Sequence, residues 1–227
     1  MVTSERVSPV DDGVLWEVIR IYPLKAAFDK AFALIVLSLL APLLGLIALA
    51  IKLNGWLHPE DAGPIFYREA RMSQGQVFDL YKFRILKVAE MEEARRAKGH
   101  DHAKLLEKKP ANMTRVGRWL QKWYLDEIPQ LFNVLRGEMS VVGPRPWPVA
   151  MCERELAQGI TRKQLLRPGL TGLVQAYKDR QNELGGGRVL DEKYIEACQR
   201  LNPWQLLLCD LRIIAKTIRV LAKGGGL

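Results

Sequence analysis

The sequence predicts a mainly α protein with a small β component, anchored in a membrane. Three observations carry that expectation. Ala31 to Ile51 is a run of 21 residues without a charge. Apolar residues later in the chain recur at helical spacing, as at Ile128, Leu131, Phe132 and Leu135, which stand at i, i+3, i+4 and i+7. Strand-like stretches are confined to one short region around a turn. With 227 residues, 48% hydrophobic and 26% charged, the chain can bury one sizeable core or one domain plus an appended element, which excludes a disordered chain. The balance of 34 Lys and Arg against 25 Asp and Glu favours an acidic partner: nucleic acid, a phosphorylated small molecule or an anionic lipid surface. Cys152, Cys198 and Cys209 are odd in number and never in CxxC spacing, so they indicate neither a disulfide framework nor a zinc site, and a reducing cytosolic environment is the simpler inference.

The first dozen residues are polar and show no signal-peptide pattern. From Gly13 the stretch VLWEVIRIYPLKAAFDK is amphipathic and leads into the uncharged run. At about 1.5 Å per residue, that run as a helix matches the roughly 30 Å hydrocarbon core of a bilayer. Pro42 falls near its middle, where it deletes a helical hydrogen bond and bends the helix. The residues alone favour a kinked spanning helix over one that turns back. Lys25 and Lys30 before the run and Lys52 after it leave the orientation open.

After Gly55 the chain turns polar, and Pro64–Arg68 and Val77–Phe83 read as two strands around a turn at Ser73–Gly75. The second strand ends in Lys82 and Arg84. AEMEEARRAKGHDHAKLLEKK is charge-rich and reads as a solvated helix or loop; His100 and His102, at i and i+2, do not share a helix face. TRVGRWLQKWYLDE interleaves Arg115, Arg118 and Lys122 with Trp119, Trp123 and Tyr124. That mixture suits a bilayer interface, and no nucleic-acid module accompanies it.

The adjacent acids Asp126 and Glu127 then open what the pattern predicts to be a short amphipathic helix, with Pro129 in its first turn and Gly137 as its stop. Unpaired backbone N–H groups at a helix start hold carboxylates ionised and attract phosphate. Asp126, Gln130 and Asn133, at i, i+4 and i+7, are expected to share an open polar edge opposite the packed one. Taken alone, the acid pair reads as an N-cap and a first-turn acid. In VVGPRP, Arg145 stands between two prolines that stiffen its loop, where it either binds phosphate oxygens in a fork or clips a nearby acid. LLRPGLTGLVQAYKDR carries turns. Asn202 and Pro203 read as the N-cap and first residue of a basic amphipathic terminal helix, suited to the membrane surface or to packing on the domain. No internal repeat, Walker loop, GxGxxG, HExxH or GxSxG pattern occurs. A membrane segment joined to paired acids, a held arginine and further cations is what a reaction between a lipid phosphate and a soluble phosphoryl donor requires.

In this order, KAAFDKAFALIVLSLLAPLLGLIALAIKL, GPIFYREARMSQGQVFDLYKFR, TRVGRWLQKWYLDEIPQLFNVLRGEMSVVGPRP and RPGLTGLVQ resemble the bacterial sugar transferase family, the monotopic polyprenyl-phosphate phosphoglycosyl transferases, over about Lys25 to Lys223. The resemblance implies transfer of a sugar-1-phosphate from a nucleotide diphosphate sugar, usually a UDP-sugar, to polyprenyl (undecaprenyl) phosphate with release of a nucleoside monophosphate. Such a step begins assembly of O-antigen, capsule or exopolysaccharide. It implies Asp126 as the nucleophile of a covalent phosphosugar intermediate and Glu127 as the Mg²⁺ ligand. Arg145, Lys82 and Arg84 are then candidate phosphate-binding cations, and Gln130, Asn133 and Gln175 candidate substrate contacts. It also implies a monotopic protein: a re-entrant helix-break-helix with its break at Pro42, and amphipathic interfacial helices around a cytosolic catalytic domain. The expected organisation is an N-terminal segment at 1–24, a re-entrant hairpin at 25–55 and the catalytic domain at 56–227, on the cytoplasmic face of the bacterial inner membrane. Membrane lipid is an expected partner, nucleic acid is not, and a homodimer is compatible with the pattern.

Three departures from the family pattern stand out. Ala41-Pro42 replaces the usual Ser-Pro, QKWYL replaces an Arg-rich stretch ending in Thr-Ser-Leu, and YREAR replaces Arg-Gln-x-Arg. Two other classes compete with the transferase: a non-catalytic membrane adaptor with a basic lipid- or nucleic-acid-binding surface, and a metal-dependent pyrophosphatase acting on nucleotide sugars. The residues name neither the sugar nor the nucleotide, and the loop between Asp179 and Gly187 is a candidate contributor to sugar choice.

Overall fold

Helices dominate the computed structural model, which describes residues 5–6, 17–96, 106–107 and 109–222. The HDH triplet at 100–102 lies outside the described residues. Contacts divide the chain into two compact units, one within 1–34, 70–79 and 131–227, the other within 35–69 and 80–130. In the first unit two short strands, β1 (Glu5–Arg6) and β2 (Glu17–Val18), pair antiparallel.

Helix α1, Pro23–Leu57, runs for 35 residues with Pro42 inside it and no interruption of its helical assignment. It is long and apolar enough to cross a membrane, with a mean hydropathy of 2.8 in its most apolar window and only 17% of that window buried. Leu34, Leu39 and Leu46 are among its exposed side chains, so a soluble core is not what covers them.

In the second unit, the C-terminal part of α1 contributes Ile47 and Ile51 to a core with Phe83, Ile85, Leu86, Met91, Met113 and Leu120. The expected hairpin is present as β3, Phe66–Ser73, and β4, Gln76–Phe83, the first strand reaching further into the turn than its sequence pattern indicated. Gln74 and Gly75 both take positive φ, 48° and 78°, as a two-residue hairpin turn requires. Helix α2 spans Val88–Arg96 and α3 spans Arg115–Lys122. Thr114 caps α3 by accepting the Gly117 N–H at 2.8 Å.

The first unit is built on α4, Gln130–Arg136, most of which belongs to it, followed by β5, Ser140–Val142, and β6, Gly169–Thr171. The two strands pair in parallel with Ser140 opposite Gly169 and Val142 opposite Thr171. Around them lie α5 (Val149–Ala157), α6 (Arg162–Leu165), α7 (Leu173–Ala176), α8 (Gly186–Arg200) and α9 (Pro203–Ala222). Asn202 and Pro203 start α9 as the sequence predicts: Asn202 Oδ1 accepts the Gln205 N–H at 3.0 Å, and Gln205 Oε1 accepts the Asn202 N–H at 3.2 Å. The segment from Asp179 to Gly187 is a short 3₁₀ turn and the start of α8, with Arg180 paired to Glu183 at 2.8 Å.

Lys25 and Asp29, which flank the apolar run in sequence, are not surface charges. Both are buried in the first unit. Lys25 Nζ lies 2.6 Å from Asp210 Oδ2 on α9 and donates to the Val142 carbonyl at 3.1 Å. Asp29 accepts from Ser140 Oγ at 2.7 Å and from the Val141 N–H at 3.1 Å. The Tyr194 hydroxyl on α8 reaches Asp210 Oδ1 at 2.7 Å. These contacts fasten the base of α1 to β5, α8 and α9. Cys152 and Cys198 are buried and Cys209 half-buried, all as free thiols.

Candidate active site

The acid pair belongs to the second unit. After α3 the chain reverses through Tyr124, which sits in the left-handed region at φ 56°, and enters a 3₁₀ turn at Leu125–Glu127. Asp126 and Glu127 therefore precede α4 in a turn of their own rather than forming the first turn of the α-helix, which starts at Gln130. Pro129 stands just before that helix.

Asp126 is buried, while the Glu127 side chain keeps a quarter of its surface exposed. Lys82, from the end of β4, places Nζ 3.0 Å from Glu127 Oε1. Burial lifts the Asp126 carboxyl to about 6; Lys82 pulls the other way, and Glu127 pushes it up further. Burial alone would lower the Lys82 ammonium, but Glu127, Asp126 and Glu107 outweigh it and raise the group above its ordinary value. The result is two carboxylates with different environments beside one fixed cation. Perturbed acids of this kind concentrate at functional sites.

Arg84, two residues on, has a different occupation from the one the sequence suggested. It is buried, and its guanidinium donates to the carbonyls of Pro64 at 2.8 Å, Leu86 at 2.9 Å and Asp61 at 2.7 Å. Asp61 in turn accepts from Asn54 at 3.0 Å and from the Arg115 N–H at 3.0 Å, so Arg84 is the post that joins the end of α1, the start of α3 and β4. Arg84→Met leaves three buried carbonyls without donors. The expected loss is roughly 3–5 kcal/mol, read as a fall in the thermal midpoint of the detergent-solubilised protein.

The expected open polar edge on α4 is also corrected. Gln130 and Asn133 are buried, Asn133 completely, whereas Phe132 from the predicted packed stripe is 41% exposed. Asn133 donates to the Asp79 carbonyl and to Glu138 Oε2, both at 2.7 Å, and so closes the end of α4 instead of facing solvent. Gln175, on α7, is buried with its Oε1 unpartnered among the described residues.

Arg145 belongs to the first unit, where its loop is held at three successive carbonyls. Lys163 Nζ donates to Arg145 O at 3.3 Å, Arg71 Nη1 to Pro146 O at 3.4 Å, and the Met72 N–H to Trp147 O at 3.4 Å. The Trp147 ring lies beneath the Arg162 and Lys163 cations, which Asp191 binds at 2.5 and 2.8 Å. Gly143 and Gly169 let the GPRP loop and the RPG turn touch; a Cβ on Gly169 would lie 2.1 Å from Gly143 N. The arginine is thus stiffened by more than its flanking prolines. Sequence reading missed Lys163 and Arg71, since nothing local marks a side chain that will cap a distant carbonyl. No described residue pairs with the Arg145 guanidinium.

One family model, that of bacterial sugar transferases, matches the chain over residues 20–224. The chain belongs to that family. Among its relatives are an undecaprenyl-phosphate glucose phosphotransferase of Komagataeibacter xylinus, 35% identical over 86% of this chain and 35% of its own, and a UDP-glucose:undecaprenyl-phosphate glucose-1-phosphate transferase of Escherichia coli K12, 38% identical over 74% and 34%. A third, from Caulobacter vibrioides and bearing the same name as the E. coli protein, is 36% identical over 86% of this chain and 68% of its own. The chain spans about a third of the length of the first two.

Proposed function

We propose that the chain transfers a sugar-1-phosphate from a UDP-sugar to undecaprenyl phosphate, giving undecaprenyl diphosphate-sugar and UMP. The observation that carries this reading is the buried Asp126 beside the Glu127–Lys82 pair, in a family whose relatives are named for that reaction. A carboxylate needs no general base once ionised. An Asp126 oxygen attacks the sugar-linked phosphorus, and the bond from that phosphorus to the bridging oxygen breaks, releasing UMP. An oxygen of the lipid phosphate then attacks the same phosphorus, and the acyl-phosphate bond breaks to restore the carboxylate. Lys82 steadies the acids between steps and meets the anionic donor, and Arg145 offers its fork to phosphate oxygens.

Magnesium fits the donor set. It takes oxygen ligands, often one or two carboxylates with water and substrate phosphate for the rest, and Asp126 and Glu127 are adjacent carboxylates. Among the described residues no group of three or more acidic, His or Cys side chains gathers into a protein cage. Glu127 would hold the ion, which when bound offsets the charge of the diphosphate.

The pH dependence follows from Asp126. Its carboxyl is lifted to about 6, so the attacking form accumulates as pH rises through that value. Turnover is expected to climb from pH 5 to 7 and then level. Removing the ammonium in Lys82→Met moves the climb to higher pH. A profile flat from 5 to 8 in initial rates of UMP release would count against Asp126 as the attacking group.

The same reading gives α1 a re-entrant course, entering and leaving at the cytoplasmic face of the inner membrane, with residues 56–227 forming the catalytic part. Support comes from Pro42 at the centre of the apolar run and from lysines at both ends of it. Cysteines introduced at Arg20 and Trp56 are expected to react with an impermeant maleimide from the same side. Reaction from opposite sides would establish a spanning helix.

A further inference from the structure

In the first unit, a cavity of about 510 Å³ opens between the segment before α1, the β3–β4 turn, the end of α4 and the RPG turn. None of its lining residues belongs to the acid pair or to the GPRP loop. Among the described residues its charged lining is Arg20, Arg136 and Arg167 against Glu138, and Gln74 and Gln76 add amides. We propose that this cavity binds a phosphorylated ligand of nucleotide size or smaller, through the Arg167 guanidinium at its wall and the arginines at its rim.

Arg167 carries the argument. It is half-buried, and its Nε donates to Gln74 Oε1 at 3.3 Å, a neutral acceptor. Gln74 is itself oriented, because its Nε2 donates to the Ile19 carbonyl at 3.1 Å. The guanidinium rests on Gly137, where φ is +76° and a Cβ would lie 3.4 Å from Nη1. Among the described residues no carboxylate reaches ion-pair distance of Arg167. Burial lowers its proton affinity, and Asp29 opposes that only from a distance, with both its oxygens occupied by Ser140 and Val141. A fixed, partly desolvated guanidinium without a counter-ion, with four further N–H donors, is a receptor for oxyanions.

The groups facing an anion there are partly engaged. Glu138 Oε2 accepts from Asn133, and near the end of α4 the Val134 carbonyl accepts the Gly137 N–H while the Asn133 carbonyl accepts those of Glu138 and Met139. The volume lies within the range of small-ligand sites, roughly 300–1,000 Å³. The phosphoryl group could come from a soluble metabolite or from a lipid headgroup, and both present the same oxygens.

Calorimetric titration of the full chain in detergent with inorganic pyrophosphate tests the site. An Asp126→Asn/Lys82→Met background removes the acid-pair region as a competitor and keeps the test separate from the transferase reading. Pyrophosphate is expected to bind in that background, more weakly as salt rises, and to bind about tenfold more weakly or worse in Arg167→Met. Arg20→Gln/Arg136→Gln serves as the second variant should Arg167→Met lower the thermal midpoint. Short-chain phosphatidic acid in mixed micelles separates the sources. Displacement of pyrophosphate by it supports a lipid headgroup, and no displacement supports a soluble ligand. Absent binding in the background protein, or binding unchanged in both arginine variants, overturns the site.

Discussion

Asp126→Asn is expected to lower UMP release from the proposed UDP-sugar donor and undecaprenyl phosphate by at least roughly a thousandfold, while leaving the thermal midpoint unchanged or higher. The two halves of that result come from one observation. Asn matches Asp in shape but carries no anionic oxygen to form the acyl phosphate. Burial raises Asp126 above its ordinary carboxylate range, so the folded state holds the proton more tightly than the unfolded chain does. Its contribution therefore favours folding below about pH 4 and is lost as pH rises through 6. At pH 7.5 the ionised group opposes folding, and a neutral amide relieves that. A carboxylate serving only as a helix cap would behave in the opposite way, with activity kept and stability lost. UMP release and a melting curve on the same preparation distinguish the two, and full turnover in the variant removes the nucleophile assignment.

A large stability effect with a distinct pH signature is expected at Lys25. Lys25→Met strands Asp210, which is fully buried, with the Tyr194 hydroxyl its one remaining side-chain partner among the described residues. Breaking one side of a buried pair costs roughly 3–5 kcal/mol, because the remaining charge keeps its desolvation cost and loses its partner. Burial already raises the Asp210 carboxyl, with Lys25 the chief opposing influence. Without the ammonium it rises further, so protonation rescues the variant. The deficit in unfolding free energy should be widest near pH 8 and narrow toward pH 5. The double variant Lys25→Met/Asp210→Leu should recover much of it, since an apolar pair of similar volume carries no such charge. A single variant with wild-type stability at pH 8 would show that the ion pair is dispensable to the attachment of α1.

What the chain disclosed in advance was local. The Asn202–Pro203 helix start, the β3–β4 turn and the apolar run each depend on residues within a few positions, and each is where the pattern placed it. The α4 stripe was legible as a period but not as a direction. Ile128, Leu131, Phe132 and Leu135 repeat correctly, yet the face with Asn133 is the buried one, because distant Asp79 and nearby Glu138 satisfy its amide. The backbone of the acid pair was not legible: a 3₁₀ turn replaces the expected first turn of the helix, because the reversal at Tyr124 demands a left-handed residue that an aromatic side chain does not announce. Arg84 looked like an open cation because its three carbonyl partners lie at positions 61, 64 and 86, and no spacing encodes them. For Lys25 and Asp29 a signal existed. An i, i+4 pair of opposite charge at the base of an apolar helix is a candidate for burial against a third charge, and here Asp210 supplies it.

The three native thiols bear on how the membrane course of α1 can be probed. Burial pushes the Cys152 thiol up to about 11 and that of Cys198 to about 12, and raises Cys209 as well. Maleimides react with the thiolate, which at pH 7.5 is less than about one part in a thousand for Cys152 and scarcer still for Cys198. Cys152 and Cys198 of the wild-type chain are therefore close to a blank for sulfhydryl chemistry. A single reporter cysteine can be read against it without first deleting Cys152 or Cys198, substitutions that would open holes in the core the reporter is meant to leave intact.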